Sequence, residues 1–573
     1  MRSDPAHLRI RALGAVSVLI ALLLLVRLYF VQIVHGADYR DDASAQYVSH
    51  SPDTETRGSI FFTTKDGDHP TAAQMNSGWR IAIKPADIVD ARATYDEIAS
   101  KITLDRDRFF SSAAKKDDPY EEVAFRVKDA AAQAIRAKKL PGVLLVQDQW
   151  RFYPAAELSA QTIGFVGYQG NTKTGVYGLE RYYNDTLAEH VSGKQMNPYA
   201  EIFANAGALF TNDSIDSLGG ASIVTSIEPS VERELEDTLD GVMKTYTPRL
   251  AAGIVMDPTT GEVVALGVRP SYNPNTYNLV SDARVFSNPL VEGRYEMGSI
   301  MKALTMAAGI DTGAVTPETT YNDTGCITKS KRQVCNYDFR GRGVVSMQEV
   351  LNQSLNVGAS FVADTMGHAV FARYVHAYGL GDKTGIDIPS EVMGDISSID
   401  RNSDVDFASA SFGQGIAVSG IEMIRALSAL ANGGKLPSPH IVTAIRYQSG
   451  VTRAIPVAAS VQVLKPESVD TVTDMLVKVY DNALLKGALK QVHYSIAAKT
   501  GTAQIASPGG GGYYSDRFLH SFFGYFPAHQ PRFIVFLFAV EPHGAEFASA
   551  TLARPFLDIA KFLINYYDIP PDR

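Results

Sequence analysis

The sequence predicts an α+β, multidomain protein. It reads as an N-terminal transmembrane helix, a mixed pedestal domain, and a larger domain whose antiparallel β-sheet is flanked by helices. Three observations carry this. One long apolar run spans residues 12–34. Patterning is modest up to residue 217 and sharpens beyond the turn Ser217-Leu218-Gly219-Gly220. In that last region, strands come first and last with helices between them, the order expected of an antiparallel sheet covered by helices.

The bulk properties narrow the class. With 573 residues there is room for several domains. Hydrophobic residues make up 45% and charged residues 20%, an ordinary globular balance. The net charge is -9, and no basic stripe runs along the chain, so a nucleic-acid partner is not expected. The two cysteines, Cys326 and Cys335, make neither a disulfide framework nor a zinc pattern. The histidines lack ligand spacing, so no metal is expected, and nothing calls for a cofactor.

Residues 1–11 read as a cytoplasmic tail. Residues 12–34 match the ~20 residues that cross a bilayer. Arg2, Arg9 and Arg11 precede the run and favour a cytoplasmic N-terminus. Arg27, near its far end, can snorkel to the interface. The body is then exported and held by a single pass. A cleaved signal peptide is the competing reading, with Ala43-Ser44-Ala45 as its site. That triplet lies beyond Asp38, Arg40, Asp41 and Asp42, far from the apolar run.

Residues 35–217 read as one region of mixed patterning, a scaffold without chemistry; the family resemblance given below makes it a pedestal or dimerisation-type domain. The alternation at Trp79-Arg80-Ile81-Ala82-Ile83 predicts a short strand. The charged stretch from Asp87 to Lys139 reads as helices and loops. Arg57-Gly58-Ser59-Ile60 reads only as the start of a strand.

Residues 218–573 form the second domain. Ile223 to Ile227 is β-like. Pro229 to Tyr246 is a helix with proline in its first turn. AAGIVMD and EVVALGV flank Pro258-Thr259-Thr260-Gly261 and predict a hairpin. Phe533 to Val540 is a buried strand. A last helix runs from about Ala550 to Tyr567.

The chemistry centres on Glu296-Met297-Gly298-Ser299-Ile300-Met301-Lys302, which opens a helix. Positions i and i+3 share a helical face, so Lys302 can reach back to the Ser299 hydroxyl. Gly298 permits a sharp bend, and the helix N-terminus favours developing negative charge. Met301, Leu304 and Met306 can pack into a core. A serine hydroxyl needs a base to become a nucleophile, and a lysine becomes one when burial and nearby cations lower its pKa. Alone, such a tetrad is also what a solvated helix face contains.

Two further stretches complete a site. Ser354-Leu355-Asn356 supplies a second hydroxyl for proton relay and an amide for a peptide group. Lys499-Thr500-Gly501-Thr502 follows the strand-like run Tyr494 to Ala498. A lysine and two threonines on a strand edge can bind a carboxylate, and the glycine permits close approach of substrate to the backbone. The N–H groups of Ser299 and Thr502 can form an oxyanion hole. A second Lys-Thr-Gly, at Lys383-Thr384-Gly385, lacks a preceding strand and reads as a turn.

The ordered set Ser-x-x-Lys, Ser-x-Asn, Lys-Thr-Gly is far more specific than its parts. On these motifs the chain resembles a class B penicillin-binding protein, a monofunctional peptidoglycan D,D-transpeptidase. The resemblance extends to MDPTTGEVVALGVRPSYNPNTYN, YGLGDKTGIDIPSE and SFGQGIAVSGIEMIRALSALANGG, and upstream to RGSIFFTTKDG, YPAAELSAQTIGFVGY and GVYGLERYYNDTL. It covers nearly the whole chain. There are departures. Leu355 stands where the family usually has serine. Ser419-Gly420-Ile421-Glu422 replaces Thr-Pro-x-Gln, and RGSIFFTTKDG lacks Asp-Arg-Asn-Gly.

The resemblance implies an acyl-enzyme on Ser299 with Lys302 as base. It gives Ser354 the proton relay, Asn356 the donor peptide, and Lys499, Thr500, Gly501 and Thr502 the carboxylate and oxyanion. It implies peptidoglycan stem peptides and lipid II-derived strands as substrate and β-lactams as covalent inhibitors. The implied setting is the cell membrane, beside a SEDS-type glycosyltransferase and other division proteins. The ending DIAKFLINYYDIPPDR and the FGQGI segment resemble the septal branch. The alternatives are an elongation-type transpeptidase, a serine β-lactamase and a catalytically silent divisome scaffold. An exported location permits a Cys326–Cys335 disulfide. Two reduced thiols are the other reading.

Overall fold

The computed structural model describes residues 56–170, 172–188, 220–401, 403–507 and 512–573. The expectations for the tail at 1–11, the anchor at 12–34 and the Ala43-Ser44-Ala45 triplet lie outside the described residues. So do residues 189–217 of the pedestal and most of its boundary turn. Among the described residues, no helix is long and apolar enough to cross a membrane.

The chain divides into two compact units. Asn76–Trp150 forms one; Thr56–Met75 with Arg151–Arg573 forms the other. The smaller unit is mixed α/β. The strand Thr71–Ile83 carries the chain into it and pairs antiparallel with Glu121–Val127, with Trp79 opposite Val127 and Ile83 opposite Glu121. Helices Ala91–Ala99 and Arg106–Ala113 begin where Asp90 and Asp105 accept backbone N–H groups, an aspartate N-cap in each case. Ile81, Ile83, Ile98, Phe109, Val123 and Ile135 form the unit's own core. The stretch 87–139 thus contains a strand as well as the predicted helices.

The larger unit is organised by a five-stranded antiparallel sheet. Its elements, in chain order, are helix α1 (Pro229–Tyr246), strands β1 (Leu250–Met256) and β2 (Val263–Arg269), helix α2 (Met301–Asp311), helix α3 (Asn356–Met366), strands β3 (Ala497–Ala506), β4 (Tyr513–Phe526) and β5 (Phe533–Val540), and helix α4 (Ala553–Tyr566). The sheet order is β3-β4-β5-β1-β2. The chain closes the sheet by returning β5 beside β1, with Phe536 opposite Ile254. Every residue of β2 and β5 is buried, which explains their apolar sequences; the one charge, Arg269 at the end of β2, is ion-paired with Glu236 and Asp240.

Helices α1 and α4 cover one face, where Leu235 and Leu239 meet Phe522, Phe526, Phe556 and Leu563 in one core. Gly253 keeps α1 close: a Cβ there would lie 2.8 Å from Leu235 Cδ1. The other face carries α2, whose Met301 and Leu304 share a core with Ile254 and Phe536. Three expected boundaries shift. Ser222–Thr225 lies outside this sheet, parallel to Ile60–Phe61 and antiparallel to Val442–Arg446. The last helix begins at Ala553, after a separate turn at Ala548–Thr551. Lys499 lies within β3 rather than after a strand, since β3 starts at Ala497.

Within the larger unit, residues of RGSIFF and GVYGLERYYN meet Arg151 in one buried ion cluster. Arg57 Nε donates to Glu180 Oε2 at 2.7 Å, and Arg151 Nε donates to Glu180 Oε1 at 2.6 Å. Arg57 also donates to Asn184 Oδ1, and Arg151 to the Gly58 carbonyl. Arg57 is therefore more than the start of a strand: it joins RGSIFF to GVYGLERYYN.

Candidate active site

Gly298–Ile300 is a turn of 3-10 helix that runs directly into α2. In that tighter geometry, residues three apart eclipse one another, which brings Ser299 and Lys302 together. Gly298 has φ +65°, a conformation glycine adopts without strain. The whole inner length of α2 is buried, including Met301, Leu304 and Met306, so the pair sits on a fixed support.

Lys302 Nζ lies 3.0 Å from Ser299 Oγ and 3.1 Å from Ser354 Oγ, and it donates to the Ser354 carbonyl. Lys499 Nζ lies 3.1 Å from the same Ser354 Oγ. The four side chains make one continuous chain, Ser299–Lys302–Ser354–Lys499. Lys302 is 1% exposed and Lys499 2%. No carboxylate touches either ammonium among the described residues. Burial, and then the Lys499 charge, hold Lys302 well below the ordinary lysine range. Burial brings Lys499 down to about 7. A neutral amine has two N–H groups and one lone pair. With the N–H groups turned to Ser354, the lone pair faces the Ser299 hydroxyl.

Ser354 sits at φ +55°, unusual for a residue with a side chain. Such strain is typical of functional positions. It follows helix Met347–Asn352 and precedes α3, so its bend turns the chain between two helices. Leu355 points into the core, 0% exposed, so the departure from a second serine removes nothing from the hydrogen-bonded chain. Asn356 is the first residue of α3, and its Nδ2 donates to the Cys335 carbonyl at 2.8 Å. Its Oδ1 remains to accept a peptide N–H.

β3 is the edge strand of the sheet, flush against the nucleophile's turn. A Cβ on Gly501 would lie 2.7 Å from the Met297 carbonyl and 3.1 Å from Ile300 N. The close approach at this glycine is to the enzyme's own serine turn, where the sequence suggested substrate. Thr502 Oγ1 accepts from Ala548 N at 3.1 Å and keeps its own proton to donate. Thr500 is half-buried on the same edge.

Cys326 and Cys335 are directly opposed in a hairpin and joined by a disulfide. The next residue, Asn336, is buried and accepts from Val357 N, so hairpin and α3 are fixed together. Tyr337, just beyond, meets Phe547 edge-to-face with ring centroids 5.6 Å apart. Phe547 precedes Ala548, the partner of Thr502. These two exposed rings join the Ser354 side to the β3 side. No local signal marked them, since the pair forms only between residues far apart in sequence.

The remaining motifs have structural roles. In the second Lys-Thr-Gly, Lys383 is exposed, while Thr384 Oγ1 and the N–H groups of Thr384 and Gly385 bond to Glu391. Ser419 and Glu422 form a reciprocal capping box at the start of helix Gly420–Ser428. Glu422 also accepts from Gly381 N and Gly394 N.

Residues 251–560 match the penicillin binding protein transpeptidase domain family, and residues 55–201 match the penicillin-binding protein dimerisation domain family. The stage V sporulation protein D of Bacillus subtilis is 26% identical, over 94% of this chain and 83% of its own. The peptidoglycan D,D-transpeptidase FtsI of Escherichia coli is 25% identical, over 78% of this chain and 73% of its own. The crystal structure of penicillin binding protein 2X from Streptococcus thermophilus superposes with a TM-score of 0.72 at 19% identity, covering 90% of this chain and 80% of that one. That of penicillin binding protein 3 from Mycobacterium tuberculosis, complexed with aztreonam, gives 0.68 at 21%, covering 90% and 97%. With more than half of its length in the transpeptidase family and a dimerisation domain ahead of it, the chain belongs to the class B penicillin-binding proteins, the peptidoglycan D,D-transpeptidases.

Proposed function

We propose that the chain cross-links peptidoglycan stem peptides through an acyl-enzyme on Ser299. The observation that carries the reading is the buried contact of Lys302 with Ser299, free of any carboxylate among the described residues. Lys302, neutral, takes the proton as Ser299 Oγ attacks the penultimate carbonyl of a D-Ala-D-Ala terminus. The oxyanion is held by the N–H groups of Ser299 and Thr502; the first N–H groups of a helix have no intrahelical partner. Ser354 hands a proton to the departing D-Ala nitrogen and is resupplied from Lys302. Lys499, Thr500 and Thr502 orient the terminal carboxylate, Gly501 keeps β3 against the serine turn, and Asn356 accepts from the donor peptide. The amine of a second stem then attacks the ester, and Ser299 recovers its proton.

In this reading residues 218–573 are the transpeptidase domain and 35–217 the pedestal. Residues 12–34 anchor the chain in the cell membrane, with 1–11 in the cytoplasm and the body exported. The role is septal, beside a SEDS-type glycosyltransferase and other division proteins. The FtsI relatives support the septal assignment, and β-lactam complexes of structural neighbours support β-lactams as inhibitors.

The test is D-Ala release and cross-link formation by the full chain on uncross-linked strands carrying pentapeptide stems. Wild type is expected to form dimeric stems, and Ser299→Ala none. A β-lactamase would instead lose a fluorescent-penicillin label within minutes and form no cross-link. An elongation role would leave septation intact on depletion and widen the cells.

A further inference from the structure

The hairpin Cys326–Cys335 is a feature singled out in the sequence that the mechanism leaves unused. Its strands, Cys326–Lys329 and Arg332–Cys335, pair in register, with Lys329 directly opposite Arg332. Like charges directly opposed across strands are unfavourable. Its two-residue tip is Ser330-Lys331, at φ +45° and +70°. Two-residue turns with both residues at positive φ strongly prefer Asn-Gly or Gly, so a lysine here is strained. The Lys329–Arg332 opposition is offset by the Lys329–Asp364 ion pair, but the tip keeps a cation at positive φ. Strain kept by a fold points to function.

From Cys326 to Arg342 the sequence has five cations, Lys329, Lys331, Arg332, Arg340 and Arg342, and one acid, Asp338, in a chain of net charge -9. Lys329 is paired with Asp364, and Arg342 with Asp338. Lys331, Arg332 and Arg340 are exposed, and among the described residues their side chains have no ion-pair partner. The hairpin is rigidly tied to the site. Its base takes the Asn356 amide on the Cys335 carbonyl. Val334 packs with Ala359, Ala408 and Phe412, and the Phe412 ring centroid is 6.0 Å from Lys302 Nζ.

We propose that this hairpin is a docking surface for the uncross-linked peptidoglycan strand. Its cations receive the carboxylates of stem peptides neighbouring the one that enters the site. The inference rests on the transpeptidase reading. A strand of stems is a repeating polyanion, with a carboxylate at each peptide end, so one terminus at Lys499 brings others alongside. An acidic protein repels such a strand elsewhere, and a basic segment beside the site draws it in.

The test compares full-length wild type with Lys331→Glu/Arg332→Glu, Lys331→Asn and Lys331→Arg/Arg332→Lys. Four readouts are used: the rate of fluorescent-penicillin acylation, binding to uncross-linked strands with pentapeptide stems, binding to vesicles of anionic phospholipid, and thermal unfolding. Penicillin carries no neighbouring stems, so acylation is expected within twofold of wild type in every variant. The double glutamate variant is expected to bind strands about tenfold more weakly at low salt, and the difference to vanish near ~0.5 M salt. Lys331→Asn relieves the tip and removes a cation, so unfolding temperature rises while strand binding falls. The arginine–lysine exchange restores binding. Unchanged strand binding in the glutamate variant, with acylation intact, overturns the proposal. So does a loss confined to vesicles of anionic phospholipid, which would make the hairpin a membrane contact. Absent acylation and cross-linking in wild type would instead overturn the transpeptidase reading.

Discussion

The Glu180 cluster and the Lys302–Lys499 pair both lie buried in the larger unit, and they resolve the same problem in opposite ways. Glu180 is 0% exposed, as fully buried as Lys302 and Lys499. Burial pushes the Glu180 carboxyl up, but the guanidiniums of Arg151 and Arg57 outweigh it and hold the group below its ordinary value. It stays ionised and ties three distant stretches of chain. Beside Ser299, burial acts on two lysines with no carboxylate in contact among the described residues, and the second lysine adds to the first. Both fall and a free amine results. Burial alone therefore does not make a reactive group; leaving out the counter-charge does.

The largest effect is expected from Lys302→Arg, which keeps a cation but removes any accessible base. Acylation by penicillin is expected to slow at least ~10³-fold, about 4 kcal/mol of barrier, in a protein that still unfolds cooperatively. Glu180→Ala should do the reverse. It leaves two guanidiniums buried and unpaired, for a loss of about 3–5 kcal/mol in denaturant unfolding. The acylation rate of the folded fraction should stay near wild type.

Gly501→Ala comes next. Its Cβ would lie 2.3 Å from Ser521 Oγ and 2.7 Å from the Met297 carbonyl, so β3 must move off the serine turn. Acylation should fall by about 10–100-fold, as a displaced oxyanion donor does, with a smaller change in melting temperature. The mildest effect is on stability. Lys499 has a folded pKa of about 7 against an ordinary 10.5. Between those values the unfolded chain holds more protons, so wild-type stability should rise as pH goes from about 7 toward 10.5. Lys499→Met should unfold later than wild type near pH 7, by about 1–3 kcal/mol, with the gap closing toward pH 10 and activity lost. A flat difference across that range would contradict a desolvated lysine.

What was legible in the sequence follows the range of each interaction. Ser299 and Lys302 were legible because three residues on one helical turn fix their own geometry. β1, β2, β5 and α1 announced themselves by apolar runs and a proline start. The strand Glu121–Val127 was hidden because Glu121, Glu122 and Arg126 mask its alternation. The Glu180 cluster could not be read at all, since Arg57 and Glu180 are 123 residues apart. For the same reason Gly501 was understood as a place for substrate. Only the folded sheet brings Met297 and Ile300 against it. Ser419-Gly420-Ile421-Glu422 looked like a departure from a family motif, although it contains a local cap signal, Ser-x-x-Glu, that explains it.

The most direct test of the central claim is the pH dependence of penicillin acylation of the full chain, with the labelled residue identified by peptide mass spectrometry. The account predicts a stable adduct on Ser299 and a rate that falls as pH drops through the Lys302 pKa. That inflection should lie well below the ordinary lysine value of 10.5. An adduct on Ser299→Ala protein, or a rate that climbs only as pH nears 10.5, would contradict it.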